Sequence, residues 1–188
     1  MIIDNNLVFS NAQSLITNST TASTFILDLA TGATTSASTY SAPNMAFGNL
    51  GGTATVFGED LGIGPGYVPQ FLIALGASFV TSTSATLNVA IQGAVDNQGG
   101  AGTFAGLSWT TYDETGAIAA ANLLINTSIR MWWPHRAINA GLPRFIRLLY
   151  QLPAATAFTA GSVTLAAVVL NRDDWSAGLY PSNFQIGA

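Results

Sequence analysis

Ser84-Ala85-Thr86-Leu87-Asn88-Val89-Ala90-Ile91-Gln92 decides the fold class. In an extended chain Leu87, Val89 and Ile91 point to one side, and Thr86, Asn88 and Ala90 to the other. A period of two residues marks a strand with one buried and one open face. The same reading, rich in β-branched and aromatic residues, holds for residues 24–30, 53–57, 68–75, 104–112, 128–133, 145–152 and 162–170. Between these runs stand turn clusters: Gly62-Ile63-Gly64-Pro65-Gly66, Asp96-Asn97-Gln98-Gly99-Gly100, Asp113-Glu114-Thr115-Gly116 and Ala160-Gly161. About eight short strands with no regular alternation of helices predict an all-β chain, a jelly roll or β-sandwich with long loops.

Outside these runs the signals are weaker. Residues 116–126 would suit a short helix, from Ala119–Ala121 and Leu123–Leu124, or a strand or extended loop, and the pattern slightly favours strand or loop. Ser10-Asn11-Ala12-Gln13 has the spacing of a capping box and would open one helical turn. Residues 10–24 and 31–43 are Ser, Thr, Ala and Asn with few large apolar anchors. They read as mobile loops or as arms ordered by a neighbour, because such stretches bury too little area to order themselves. The expected organisation is an N-terminal arm over 1–23, a sandwich domain over 24–171 and a C-terminal tail over 172–188. A faint echo relates Phe79-Val80-Thr81…Thr86-Leu87-Asn88-Val89 to Phe158-Thr159…Thr164-Leu165-Ala166-Ala167; equivalent strands in two facing sheets would produce it, and so would chance in a chain this rich in Thr and Ala.

The composition is unusual for a dispersed domain. Only 7% of the 188 residues are charged, against about 25% in an ordinary soluble protein. There is no lysine, and the five basic residues all lie between Arg130 and Arg172. A folded 19.4 kDa monomer should expose roughly 8,500 Å², more than fourteen charges can dress in the usual way. Small residues fill the gap, with little side-chain entropy to lose on contact. Such a surface suits a protein pressed against neighbouring subunits. The net charge of −4 argues against phosphate-driven nucleic-acid binding. The longest apolar stretch, 117–125, is interrupted by Asn122 and far shorter than the ~18–20 residues of a spanning helix, so no membrane partner is expected. No basic leader followed by an apolar run opens the chain.

Chemistry finds few candidates. His135 is the single histidine, no Gly-x-Ser-x-Gly elbow occurs, and one histidine cannot supply a cupin-type metal site. Glu59-Asp60, Asp96-Asn97 and Asp173-Asp174 carry oxygen ligands for calcium but lack EF-hand spacing, and read by default as solvated turn acids. The glycine clusters lack the Lys-Ser/Thr of a phosphate loop. The expectation is therefore no catalytic residue, no cofactor and no metal.

The arginines are more informative. Arg130, Arg136, Arg144 and Arg147 lie near Trp132, Trp133, Phe145 and Tyr150. Arginine with Trp or Tyr is enriched where interfaces concentrate their binding energy. The bland alternative is a set of solvated edge arginines. Strand alternation puts Arg144 and Arg147 on opposite faces, so at least one of them should sit at the start of its strand.

Several motifs, in order, resemble a family of tailed-bacteriophage capsid cement (decoration) proteins. They are Met1-Ile2-Ile3-Asp4…Phe9-Ser10, Asp60-Leu61-Gly62-Ile63-Gly64, Leu142-Pro143-Arg144-Phe145-Ile146-Arg147-Leu148, Phe158-Thr159-Ala160-Gly161-Ser162-Val163-Thr164 and Leu170-Asn171-Arg172-Asp173…Tyr180-Pro181-Ser182-Asn183-Phe184. The resemblance covers the first ten residues and, with gaps, most of 58–184. It implies a non-enzymatic jelly roll on the outer surface of the virion capsid, bridging capsomers of the major capsid protein and pairing with itself as a homodimer or homotrimer. Contacts are then expected from Ile2, Ile3, Asp4 and Phe9 of the arm, from Arg130, Trp132, Trp133, His135 and Arg136, from Arg144 and Arg147, and from Arg172 and Tyr180. The chain departs from the family in Gly64-Pro65-Gly66, where an acidic residue is expected before the proline. Its stretches near 30–57 and 99–106 are also longer than usual. Two rivals stand beside this reading: a carbohydrate- or receptor-binding module of a tail or fibre, stacking sugars on Tyr112 or Trp175, and a hydrolase built on His135.

Overall fold

The computed structural model describes residues 7–16, 19–29, 33–40, 70–98, 101–132, 143–152 and 157–169. Nearly all regular structure in them is β: β1 (Val8–Ser14), β2 (Thr21–Ala22), β3 (Ile26–Asp28), β4 (Ala33–Thr35), β5 (Thr39–Tyr40), β6 (Gln70–Val80), β7 (Thr86–Ala94), β8 (Gly102–Thr103), β9 (Trp109–Glu114), β10 (Ile118–Ala119), β11 (Ser128–Trp132), β12 (Phe145–Gln151) and β13 (Ala160–Val169). Two 3-10 turns, Phe104–Gly106 and Ala120–Asn122, interrupt the connections.

These strands form an all-β sandwich. One sheet has the order β1-β13-β6-β11. The other runs β10-β7-β12-β3-β4, with β9 also on β7 and β2 also on β12. Every pairing is antiparallel. Taking β1, β3, β6, β7, β9, β11, β12 and β13 as the main strands, numbered 1 to 8, the sheets read 1-8-3-6 and 2-7-4-5.

The core follows from alternation. Leu87, Val89 and Ile91 of β7 and Ile146, Leu148 and Tyr150 of β12 face Phe71, Ile73 and Leu75 of β6 and Val163, Ala166 and Val168 of β13. Phe9 and Phe71 touch at 5.4 Å between ring centroids, and Phe79 meets Phe158 edge-on at 4.8 Å. Each buried side chain of this size adds roughly 1.5–3 kcal/mol of transfer free energy, which strand propensity alone could not supply. β7 and β13 do lie in facing sheets, as their sequence echo suggested.

Gly161 is where this packing needs a glycine. Its φ of +148° is closed to other residues, and the Phe79 ring lies 2.5 Å from where a Cβ would stand.

The N-terminal arm expectation fails for the described residues. Positions 8–14 form β1, the edge strand of the first sheet paired with β13, and 21–22 pair with β12 as β2. The physical reason is a polar chain, Tyr150 to Ser10 (2.8 Å), Ser10 to Gln13 Oε1 (2.7 Å) and Gln13 Nε2 to the Ala22 carbonyl (2.8 Å). Ser10 and Gln13 therefore use their spacing for a side-chain bond across a bulged strand, and no helical turn forms there. Residues 116–126 are the short strand β10, a 3-10 turn and a tight turn. The expected strand over 53–57 lies outside the described residues, and 104–106 is 3-10 in place of strand.

The described parts of the two stretches expected to be insertions, near 30–57 and 99–106, meet each other. β5 pairs with β8, Tyr40 opposite Gly102 and Thr39 opposite Thr103. With the Phe104–Gly106 turn they cover the outer face of the second sheet and bury a second cluster of Tyr40, Ala94, Phe104, Leu107 and Phe145. Three aromatic contacts knit it: Tyr40–Phe145 at 4.5 Å, Phe104–Phe145 at 5.1 Å and Tyr40–Phe104 at 5.2 Å. Gln98 shapes the loop beneath, donating to the Thr103 carbonyl (2.8 Å) and accepting from the Thr103 N–H (3.1 Å).

Candidate functional site

The residues singled out in the sequence separate into three groups. Ile2, Ile3, Asp4, Trp133, His135, Arg136, Arg172 and Tyr180 lie outside the described residues, as does Trp175. Phe9, Arg144 and Arg147 are held inside the fold. Arg130 and Trp132 stand on its surface.

Phe9 was expected at a contact surface and is fully buried against Phe71. It is a core residue because the bulge between Val8 and Ser10 turns both Phe9 and Ser10 inward.

Arg144 directly precedes β12, in agreement with the expectation that one of the two arginines opens the strand. Its backbone is fixed on both sides, the N–H donating to the Ala94 carbonyl (2.9 Å) and the carbonyl accepting from Leu29 (2.8 Å). The guanidinium is a three-way latch. Nε and Nη2 donate to the two oxygens of Asp28 at 3.1 and 2.9 Å, and Nη1 donates to Asp96 Oδ2 at 2.7 Å. It lies over the rings of Phe145 (4.7 Å) and Tyr40 (5.1 Å). Asp96 Oδ1 accepts from the Tyr40 hydroxyl (2.9 Å) and the Gln98 N–H (3.0 Å). These carboxylates are thus committed to an internal cation, and Asp96 is no solvated turn acid.

The electrostatics follow the geometry. Burial works to raise the pKa of Asp96, but the Gln98 N–H, the Tyr40 hydroxyl and Arg144 outweigh it and hold the carboxyl below its ordinary value. Tyr40 is pushed up, first by burial and then by Asp96. For Arg144 burial opposes the charge, while Asp28 and Asp96 favour it more strongly and raise the pKa.

Arg147 is on the outer face of the second sheet. Its Nε donates to Gln92 Oε1 at 2.9 Å, and its guanidinium stacks 4.0 Å from the centre of the Trp109 ring. Trp109 in turn donates to the Phe104 carbonyl at 3.2 Å. This arginine ties the covering layer to the sheet, and burial pushes its pKa down.

Arg130 and Trp132 are different. They are exposed on the same face of β11, which in the described residues pairs with β6 alone. Trp132 is 57% exposed. No ion pair, hydrogen bond or ring contact within the described residues engages the Arg130 side chain. Leu72, Ala167 and Val8 continue its row across the sheet and are buried. The sequence marked the two by arginine–tryptophan proximity; their shared exposed face and lack of an internal partner among the described residues were not legible without the fold.

Sequence reasoning missed a further surface feature. Ile16, Val80, Leu124 and Ile125 are each at least half exposed. They gather at one end of the first sheet: Val80 opposite Ala160, Ile16 next to Leu15, whose N–H donates to the Gly161 carbonyl, and the 124–125 turn against Ser78. Their spacing in sequence hides this, since the sheet order brings them together. Tyr112 is half-buried, its ring packed where a Cβ of Gly93 would lie, so it presents no open stacking platform. Among the described residues no three His, Asp or Glu side chains gather as a metal site would require. No protein-family model matches the chain, and no curated protein matches it.

Proposed function

We propose that the chain is a structural cement protein of a bacteriophage head. In this reading it is a jelly roll on the outer capsid surface, bridging neighbouring capsomers of the major capsid protein and associating with itself. The observation that carries the reading is the pair Arg130 and Trp132, exposed together on an edge strand while the other described arginines are spent internally. Arginine beside tryptophan on open surface is the composition of an interface centre. The strand order 1-8-3-6 over 2-7-4-5 supports the jelly-roll form, as two interlocked Greek keys would give it. The apolar end formed by Ile16, Val80, Leu124 and Ile125 supplies a second contact area on a surface poor in charge. The role is structural: many copies each bury modest area, and their sum stiffens a closed shell.

The test is sedimentation of the purified chain with expanded, empty heads of the phage that encodes it. Wild-type protein pellets with the heads. Trp132→Ala and Arg130→Ala lower the occupancy while leaving the circular dichroism of the free chain unchanged. Undiminished decoration by both variants, or no binding by the wild type, overturns the assignment.

A further inference from the structure

We infer that β11 is a self-complementary edge that pairs with β11 of a second copy of this chain, in the register that places Met131 on the two-fold axis. The inference rests on the assembly reading above for its purpose, and on edge geometry for its register.

The edge is open in a defined way. The Leu75 N–H donates to the Thr127 carbonyl at 2.9 Å, and the register continues as Ser128–Ala74 through Trp132–Gln70 without irregularity. In an antiparallel ladder hydrogen-bonded and non-bonded pairs alternate. Residues 129 and 131 therefore bond to β6, and Ser128, Arg130 and Trp132 direct their N–H and C=O groups away from the sheet. The other described edges are unlike it. β1 is bulged and carries Ala12 at φ +51°, β4 has three residues, and β9 is bulged and bears exposed Asp113 and Glu114. Bulges, charged side chains and short length are the devices that blunt an edge; β11 runs five residues without a bulge, and its single charge, Arg130, has to be answered by the partner strand.

Self-pairing has few permitted registers. The outward groups belong to even-numbered residues, so narrow pairs must join even residues with even residues. A register centred on Arg130 sets two guanidiniums face to face, and like charges directly opposite destabilise a pair. The register centred on Met131 instead sets each Arg130 opposite the partner's Trp132, twice by symmetry. Directly opposite side chains have Cβ atoms ~5 Å apart, close enough for a guanidinium to cover an indole face. Within one copy this stacking is not made, although both residues share a face. The same two side chains that lack an internal use satisfy each other across the axis. The product is one continuous sheet, β1-β13-β6-β11 joined to its symmetry copy.

The chain contains no cysteine, so the register can be read directly by crosslinking. Arg130→Cys and Trp132→Cys chains, each full length, are mixed and oxidised. The expected result is a disulfide-linked dimer in the mixture and little in either variant alone. The mixed dimer retains one Arg–Trp pair, and the Cα separation of a narrow pair is within disulfide reach. Sedimentation velocity of the wild type should show a concentration-dependent dimer. Arg130→Glu should raise its dissociation constant about tenfold or more, and the exchanged double variant Arg130→Trp with Trp132→Arg should restore it. Crosslinking of Arg130→Cys with itself overturns the register. A wild-type chain that stays monomeric at its highest soluble concentration overturns the interface. Dimers that ignore phage heads would uphold this edge and defeat the head-protein reading; monomers that decorate heads would do the reverse.

Discussion

Replacing Arg144 by methionine tests the latch between the covering layer and the second sheet. The arginine side chain is only 12% exposed, and its partners Asp28 and Asp96 are 7% and 15% exposed. Removing it takes away three charge-assisted hydrogen bonds and leaves two carboxylates in a largely dry site. Loss of one partner from a buried ion pair costs about 3–5 kcal/mol, mostly the penalty of the stranded charge. For a domain of this size 1 kcal/mol moves Tm by ~2–4 °C, so a fall of roughly 6–20 °C is expected. The assay is urea and thermal unfolding followed by tryptophan fluorescence. The same latch has an acid dependence of fixed sign. Asp96 is depressed below its ordinary value of 3.8, so its contribution is full above that pH and is lost as pH falls through the folded-state value. Asp96→Asn should lack this part of the acid dependence. Destabilisation below ~1 kcal/mol in Arg144→Met, or an unchanged acid profile in Asp96→Asn, would refute the reasoning.

Two other substitutions probe the packing. Gly161→Ala should destabilise the fold by about 3 kcal/mol or more, since a Cβ meets the Phe79 ring and φ is +148°; calorimetry reads the loss. Arg147→Ala should cost ~1 kcal/mol and shift the Trp109 emission, because the stacked guanidinium and the bond to Gln92 both go; unchanged fluorescence would contradict the contact.

Strands with a full alternating pattern were legible from the sequence. Leu87, Val89 and Ile91 face the core as their spacing predicts, and 145–152 and 128–133 match β12 and β11 almost to the residue. β1 was not legible. Its Ser, Asn and Gln look like an arm because pairing to β13 and the Tyr150–Ser10–Gln13 chain, which stabilise it, come from residues over a hundred positions away. β5 and β8 are two residues each, too short to show any period. The Arg144 latch joins positions 28, 96 and 144, and only sheet register brings them together. The arginine signal was sound as chemistry, yet it could not separate internal stacking at Arg147 from open surface at Arg130. That division depends on whether a tryptophan lies across the strand or on the edge.

The meeting of 39–40 with 102–103 has a bearing on how this molecule tolerates change. Two excursions from the sandwich, more than sixty residues apart, are fastened by one guanidinium and three aromatic rings. Trimming either alone would bare Phe145 to water, so the two should lengthen and shorten together among descendants of this chain. A designer transplanting that outer cap onto another sandwich would need to move both pieces and the anchoring cation as a single cassette.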